Sequence, residues 1–262
     1  MKIIKIILIA SFLAFASRVE AQVAFDATAH AECGGGVDCD AGAHQVLTVP
    51  LTVGVGTNRQ LAVFALIGCG SGQTAPTATA TYNGTSLTQI QTIAVGPAAR
   101  RAYMWAWPTG SQPTSGLHNA VVTLSSDIQT TCDGLATLGV GVISVAGVDQ
   151  ATTFTSSNTN SGTGTAVALT LTSSGANDLG VDAACQGTGF SGTTETSRWS
   201  VNNGLNSCGS SAGATAAGGD TSLSWTGSSS DSWLMIGGAF KADTGGGGSP
   251  AAKTLTLLGV GF

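Results

Sequence analysis

Apolar and polar positions alternate along this chain in short runs, and no stretch repeats its apolar residues every ~3.6 positions between helix caps. The runs read HQVLTVPLTV, QLAVFALIG, TATATY, SLTQIQTI, RAYMWAW, NAVVTLS, LGVGVISVAGV, AVALTLT, DLGVDAAC, TSLSWTG and SWLMIGGAF. Each is too short for a helix that packs alone, and Gly, Asn, Ser and Pro separate them, which predicts about eleven strands. The expected fold class is all-β: a single antiparallel β-sandwich, jelly-roll or Ig-like.

Within this pattern some runs say more. QLAVFALIG is apolar at every other position on both faces, which predicts a central strand covered on each side. LGVGVISVAGV places Gly139, Gly141 and Gly147 among β-branched residues, which predicts close backbone packing in a buried sheet. Asn83-Gly84 between two alternating runs predicts a two-residue type I′ hairpin, because both residues tolerate positive φ. Asn83-Gly84-Thr85 also satisfies the glycosylation sequon, but the turn accounts for it without a glycan.

GTNRQLAVFAL, ATYNGTSLTQI, RRAYMWAWPTG, LHNAVVTLS, ISVAGVDQATTF and DLGVDAA follow one another in an order that resembles a group of secreted bacterial β-sandwich modules of unknown function. Those modules share a G-x-N-R-x-L strand, a Y-N-G hairpin, an aromatic strand ending near Pro and a G-V-D-Q segment. The resemblance covers about residues 45 to 242. It implies a fold and brings no catalytic residues.

The ends change the picture of the compartment. MKIIKIILIASFLAFASRVEAQ has Lys2 and Lys5, an apolar core from Ile6 to Ala16 and a Val19-Glu20-Ala21 cleavage site, so residues 1–21 read as a secretory signal peptide. Residues 22–243 are the expected β-sandwich domain, 244–250 a Gly-rich linker and 251–262 a short apolar tail. The tail is too short for a membrane helix. It faintly resembles the start of bacterial sorting segments of the Pro-Glu-Pro type, without their Glu, apolar helix or basic end. The first reading is a tethered, disordered or loosely docked tail; the alternation in KTLTLLGV also suits a strand added to a sheet edge, and self-association through it is an expectation. The expected location is secreted, extracellular or at the cell surface, with no integral membrane span.

Charge narrows the partners. Charged residues are 9% of the chain, and after residue 21 six cationic side chains face thirteen acidic ones. Arg100-Arg101 is the one basic pair, so a stripe that neutralises phosphates is missing and nucleic acid is not an expected partner. The six cysteines in an oxidising compartment predict disulfides, with Cys33–Cys39, Cys69–Cys132 and Cys185–Cys208 as the preferred pairing among the 15 possible sets.

Candidate chemistry is thin. In RRAYMWAWPTG a strand sends Tyr103, Trp105 and Trp107 to one face, where they fill a core or stack on sugar rings. Trp199 lies in a polar stretch and is expected to be the most exposed tryptophan. These four are the candidate ligand-binding residues. Asp26, Asp38 and Asp40 in a Gly-rich segment are candidate calcium ligands for a structural ion, though the segment lacks the full EF-hand pattern. His30, Cys33, Cys39 and His44 do not match zinc-finger spacing.

Glu32 and Glu195, the two glutamates after residue 21, are far apart, so no carboxylate pair for glycoside hydrolysis stands out. GSSAG at Gly209 to Gly213 matches G-x-S-x-G, but no helix is expected to follow it. His118 reads as a strand-edge residue. No cofactor is expected. The functional expectation is a non-catalytic secreted module that binds carbohydrate or another extracellular surface polymer; the alternative is a structural or assembly subunit of an extracellular layer, matrix or appendage.

Overall fold

The structure, a computed structural model, describes residues 22–34, 44–70, 72–96, 99–132, 136–172, 174–202, 208, 210–220 and 222–244. These form an all-β protein whose ladders are all antiparallel. The central sheet runs in the order β1 (Ala24–Gly34), β9 (Thr137–Ala146), β3 (Gln60–Gly68), β7 (Arg100–Ala106) and β6 (Thr88–Val95). A four-stranded sheet comprises β2 (Val46–Val53), β8 (Gly116–Leu124), β4 (Ala78–Tyr82) and β5 (Thr85–Ser86). The third sheet orders β10 (Phe154–Thr170), β15 (Ser222–Phe240), β11 (Leu179–Gln186), β14 (Ser210–Ala216) and β13 (Thr196–Asn202), with β12 (Phe190–Thr193) paired to β15.

β3 shows why this order arises. All nine of its residues are buried, and its two faces serve two different clusters. Leu61, Val63, Ala65 and Ile67 pack with Leu47, Val49 and Val122 of the four-stranded sheet. Ala62, Phe64 and Leu66 pack with Val181, Ala183, Leu234 and Ile236 of the third sheet. A strand apolar on both faces is stable only where both are covered.

The third sheet covers its own outer face. The β10/β15 ribbon breaks register between Gly164 and Ala166, where the partner jumps from Asp231 to Thr226. Beyond this break Val167, Leu169, Leu223 and Trp225 close on Ala184, Ala212, Met235 and Ala239. Gly164 has φ 130°, and the buried Gln186 amide donates to the carbonyls of Gly164 (3.1 Å) and Ser229 (2.9 Å), pinning the bend. Asn158 and Asn160 donate to the carbonyls of Thr170 and Ala168, both at 2.7 Å, and occupy acceptors along the returning segment.

The Asn83-Gly84 turn has φ 48° and 75° and joins Tyr82 to its partner Thr85. Only two residues of the second arm stay with β4; the chain then turns at Leu87 and enters the central sheet as β6. A short helix α1 (Ile128–Thr131) is capped by Asp127, whose carboxylate accepts from the amides of Gln129 and Thr130. Cys69 is bonded to Cys132 (Cα–Cα 4.8 Å) and Cys185 to Cys208 (5.2 Å). Cys33 is also disulfide-bonded, and its expected partner Cys39 lies outside the described residues, as does the tail. No described helix is long and apolar enough to cross a membrane.

Fifteen strands among the described residues exceed the expected eleven, and the sheets are open. Among the additional ones, β1 and β14 are rich in small residues. β1, expected as a ligand-bearing loop, pairs with β9 from Ala24 to Gly34 and turns Ala27, Ala29 and Ala31 onto the core. β14 does the same with Ala212, Ala214 and Ala216. Alanine and glycine have low strand propensity, so a run built from them does not announce itself.

Candidate functional site

The four aromatic candidates are core residues, which corrects their reading as a ligand platform. Tyr103 and Trp105 on β7 and Trp107 just past its end lie on one side as the alternation requires, but that side looks onto the four-stranded sheet, leaving them 4%, 2% and 8% exposed. Tyr103 and Trp105 stack with ring centroids 4.9 Å apart. Tyr82 meets Trp107 edge-on, and the Trp107 indole donates to Ser111 Oγ at 2.9 Å. The physical reason is area: three large rings on a strand beside the centre of a sheet contribute most when fully covered.

Trp199, expected to be exposed, is 3% exposed. Its indole lies over Gly213 on the neighbouring strand and Gly141 on the central sheet, where a Cβ at either glycine would collide with it. His30 stacks on the ring at 6.1 Å. Polar neighbours in sequence mislead here because Thr196 to Asn202 is a strand with one covered face.

The expected metal ligands do not converge among the described residues. Asp26 accepts from the Gly54 amide and the Ser144 hydroxyl, both at 2.8 Å, and so ties β1 to the end of β2. Asp38 and Asp40 lie outside the described residues. No described group of three or more His, Cys, Asp or Glu could hold an ion. His30 faces Trp199, whereas His44 Nδ1 is 3.6 Å from Asp127. Ser211 of the GSSAG match sits inside β14, paired to both Cys185 and Val201 rather than at a strand-to-helix turn.

The most perturbed carboxyl, which the pattern of residues did not single out, is Asp182. It is wholly buried beneath the folded-back ribbon. Burial pushes it well above the usual carboxylate range; the hydrogen bond from the Trp225 indole (2.9 Å) opposes this, and the nearby Glu195 charge adds to it. Glu195 itself accepts from the Ser224 amide at 2.6 Å and from Thr193 and Thr194. Asp182 lines none of the described cavities.

The largest described cavity is a groove of about 450 Å³ where one end of the central sheet meets the shoulder of the β10/β15 ribbon. Val95, Ala99 and Arg100 form one wall, and Ser161, Gly162, Thr163, Ser232 and Trp233 the other. Gly162 is required here: a Cβ would lie 2.7 Å from Trp233 Cζ2, so glycine lets the indole tuck beneath the strand. The groove thus joins an apolar floor to hydroxyls and one guanidinium, the mixture that small polar ligands need. A Ser/Gly/Thr tract and the Arg100-Arg101 pair, far apart in sequence, carry no signal that would unite them.

No known protein-family model matches this chain, and no match was found among characterised proteins or solved structures. The chemistry of the groove therefore has to carry the functional reading.

Proposed function

We propose that this chain is a secreted, non-catalytic module that binds carbohydrate or a comparable extracellular surface polymer, and that the groove beside Trp233 receives it. The observation that carries this reading is the groove's lining: Ser161, Thr163 and Ser232 supply hydroxyls beside the apolar Val95, Ala99 and Trp233. Its volume suits one or two sugar rings, near the lower end of ligand pockets. Ser161 and Thr163 are exposed, so Ser161→Trp fills the groove without entering the core. Loss of polysaccharide retention by that variant, at unchanged melting temperature, supports the reading. Retention equal to wild type sinks it.

A second reading, an assembly subunit, has its own observation. The outward face of the four-stranded sheet presents Pro50, Thr52, Thr79, Leu117, Asn119 and Thr123, all exposed and none ionisable. Such a face lacks the charges that keep surfaces apart. Sedimentation of residues 22–262 at rising concentration tests it: a strict monomer counts against assembly, whereas self-association lost in Thr79→Lys plus Thr123→Glu favours it.

A further inference from the structure

Five cationic side chains lie among the described residues, and four are engaged. Arg59 donates to the carbonyls of Pro113 (3.1 Å) and Gly56 (2.6 Å). Arg101 donates to the Tyr103 hydroxyl at 3.2 Å, and Lys241 to Asp149 at 2.8 Å. Arg198 donates to Thr215 Oγ1 at 2.8 Å and lies 3.6 Å over the Phe25 ring. Arg100 alone has neither a hydrogen bond nor a carboxylate within ion-pair distance among the described residues.

Arg100 is half-buried, and it lines the groove. Burial lowers its pKa, and the field of Asp231 only partly opposes that loss. Asp231 is otherwise occupied, accepting from the Ser232 amide at 2.6 Å. A guanidinium stripped of part of its water with no anion in return is unfavourable. A carboxylate entering the groove restores what was lost through paired, charge-assisted hydrogen bonds.

Resting on the reading of the groove as a saccharide site, we propose that Arg100 receives the carboxylate of an acidic sugar, so that the ligand is a uronate-bearing polysaccharide. Two features select a monoanion over a phosphate. Arg100 is the one cation lining the groove among the described residues, whereas phosphate sites gather several donors of charge. The field of Asp231 reaches Arg100 and repels a dianion more than a single carboxylate. The remaining lining, three hydroxyls with apolar surface, suits the neutral part of a sugar ring.

The test uses the chain from residue 22 onward and calorimetric titration with oligogalacturonate, its methyl ester, and sulfated oligosaccharide. The ester keeps the sugar and deletes the charge. The acid form is expected to bind about tenfold or more tighter than the ester, an advantage that shrinks with added salt. Arg100→Met brings the ratio of acid to ester affinity close to one, Arg100→Lys leaves it intermediate, and Asp231→Asn raises it. Equal binding of acid and ester, both abolished by Ser161→Trp, overturns the carboxylate assignment and leaves the groove reading intact. Binding that ignores Ser161→Trp overturns the groove reading itself. Stronger binding of the sulfated oligosaccharide, or none of the acid form, also overturns the assignment.

Discussion

The indole of Trp199 occupies the space that a side chain on Gly141 would need. The two residues belong to different sheets, and their closeness lets the third sheet lie against the central one. Gly213, beside Trp199 in its own sheet, completes the slot. Gly141→Ala is expected to destabilise the protein by about 1–3 kcal/mol through overpacking. Combined with Trp199→Phe, the alanine should cost less than it does alone, since the smaller ring vacates part of the slot. Denaturant unfolding of the single and double variants measures the coupling, and simple additivity would contradict the slot.

All five tryptophans of the chain are buried, the most exposed being Trp107 at 8%. Native fluorescence should therefore emit at short wavelength and resist acrylamide quenching, shifting red only on unfolding. Trp105→Ala should cost about 3–5 kcal/mol, as removal of a buried aromatic does. An exposed aromatic platform would instead quench readily and lose ligand with little loss of stability.

The buried Asp182 gives the protein a pH dependence of definite sign. Its carboxyl titrates higher folded than unfolded, so across that interval the folded state holds more protons and stability falls as pH rises. The contribution is fully present below about pH 4, the unfolded value, and is lost as pH passes upward through the folded one. Asp182→Asn keeps an acceptor for the Trp225 indole and removes the titration. Its melting temperature should vary less with pH than that of wild type and should exceed it in neutral buffer.

The two described disulfides close loops of different length, 63 and 23 residues apart in sequence. Chain entropy then makes Cys69–Cys132 worth about 4 kcal/mol and Cys185–Cys208 about 3 kcal/mol. Paired Cys→Ala variants, compared by denaturant midpoint, should rank in that order. The reverse ranking would mean that local packing, not loop entropy, dominates.

At α1, Asp127→Ala should lower the denaturant midpoint of unfolding, because two helical amides lose their acceptor. Hydrogen bonding from the Thr130 amide, foremost, holds the Asp127 carboxyl below its usual range. This contribution is present above the unfolded pKa and lost as pH falls through the folded value, the opposite sense to Asp182.

Much of this protein is decided locally and can be read from its residues alone. The alternation of RAYMWAW assigns each side chain to a face; the two-sided run QLAVFALIG demands a covered central strand; Asn83-Gly84 supplies the positive φ of its turn. These depend on neighbours one to four positions away. What covers a face does not. Whether the Tyr103 face meets water or a second sheet, whether Gly141 admits a ring from Trp199, and whether Arg100 stands near Ser161 are settled by contacts between strands distant in sequence. Strands of Ala, Gly, Ser and Thr, such as β1 and β14, gain their stability from register and burial rather than from propensity, so only the folded chain reveals them.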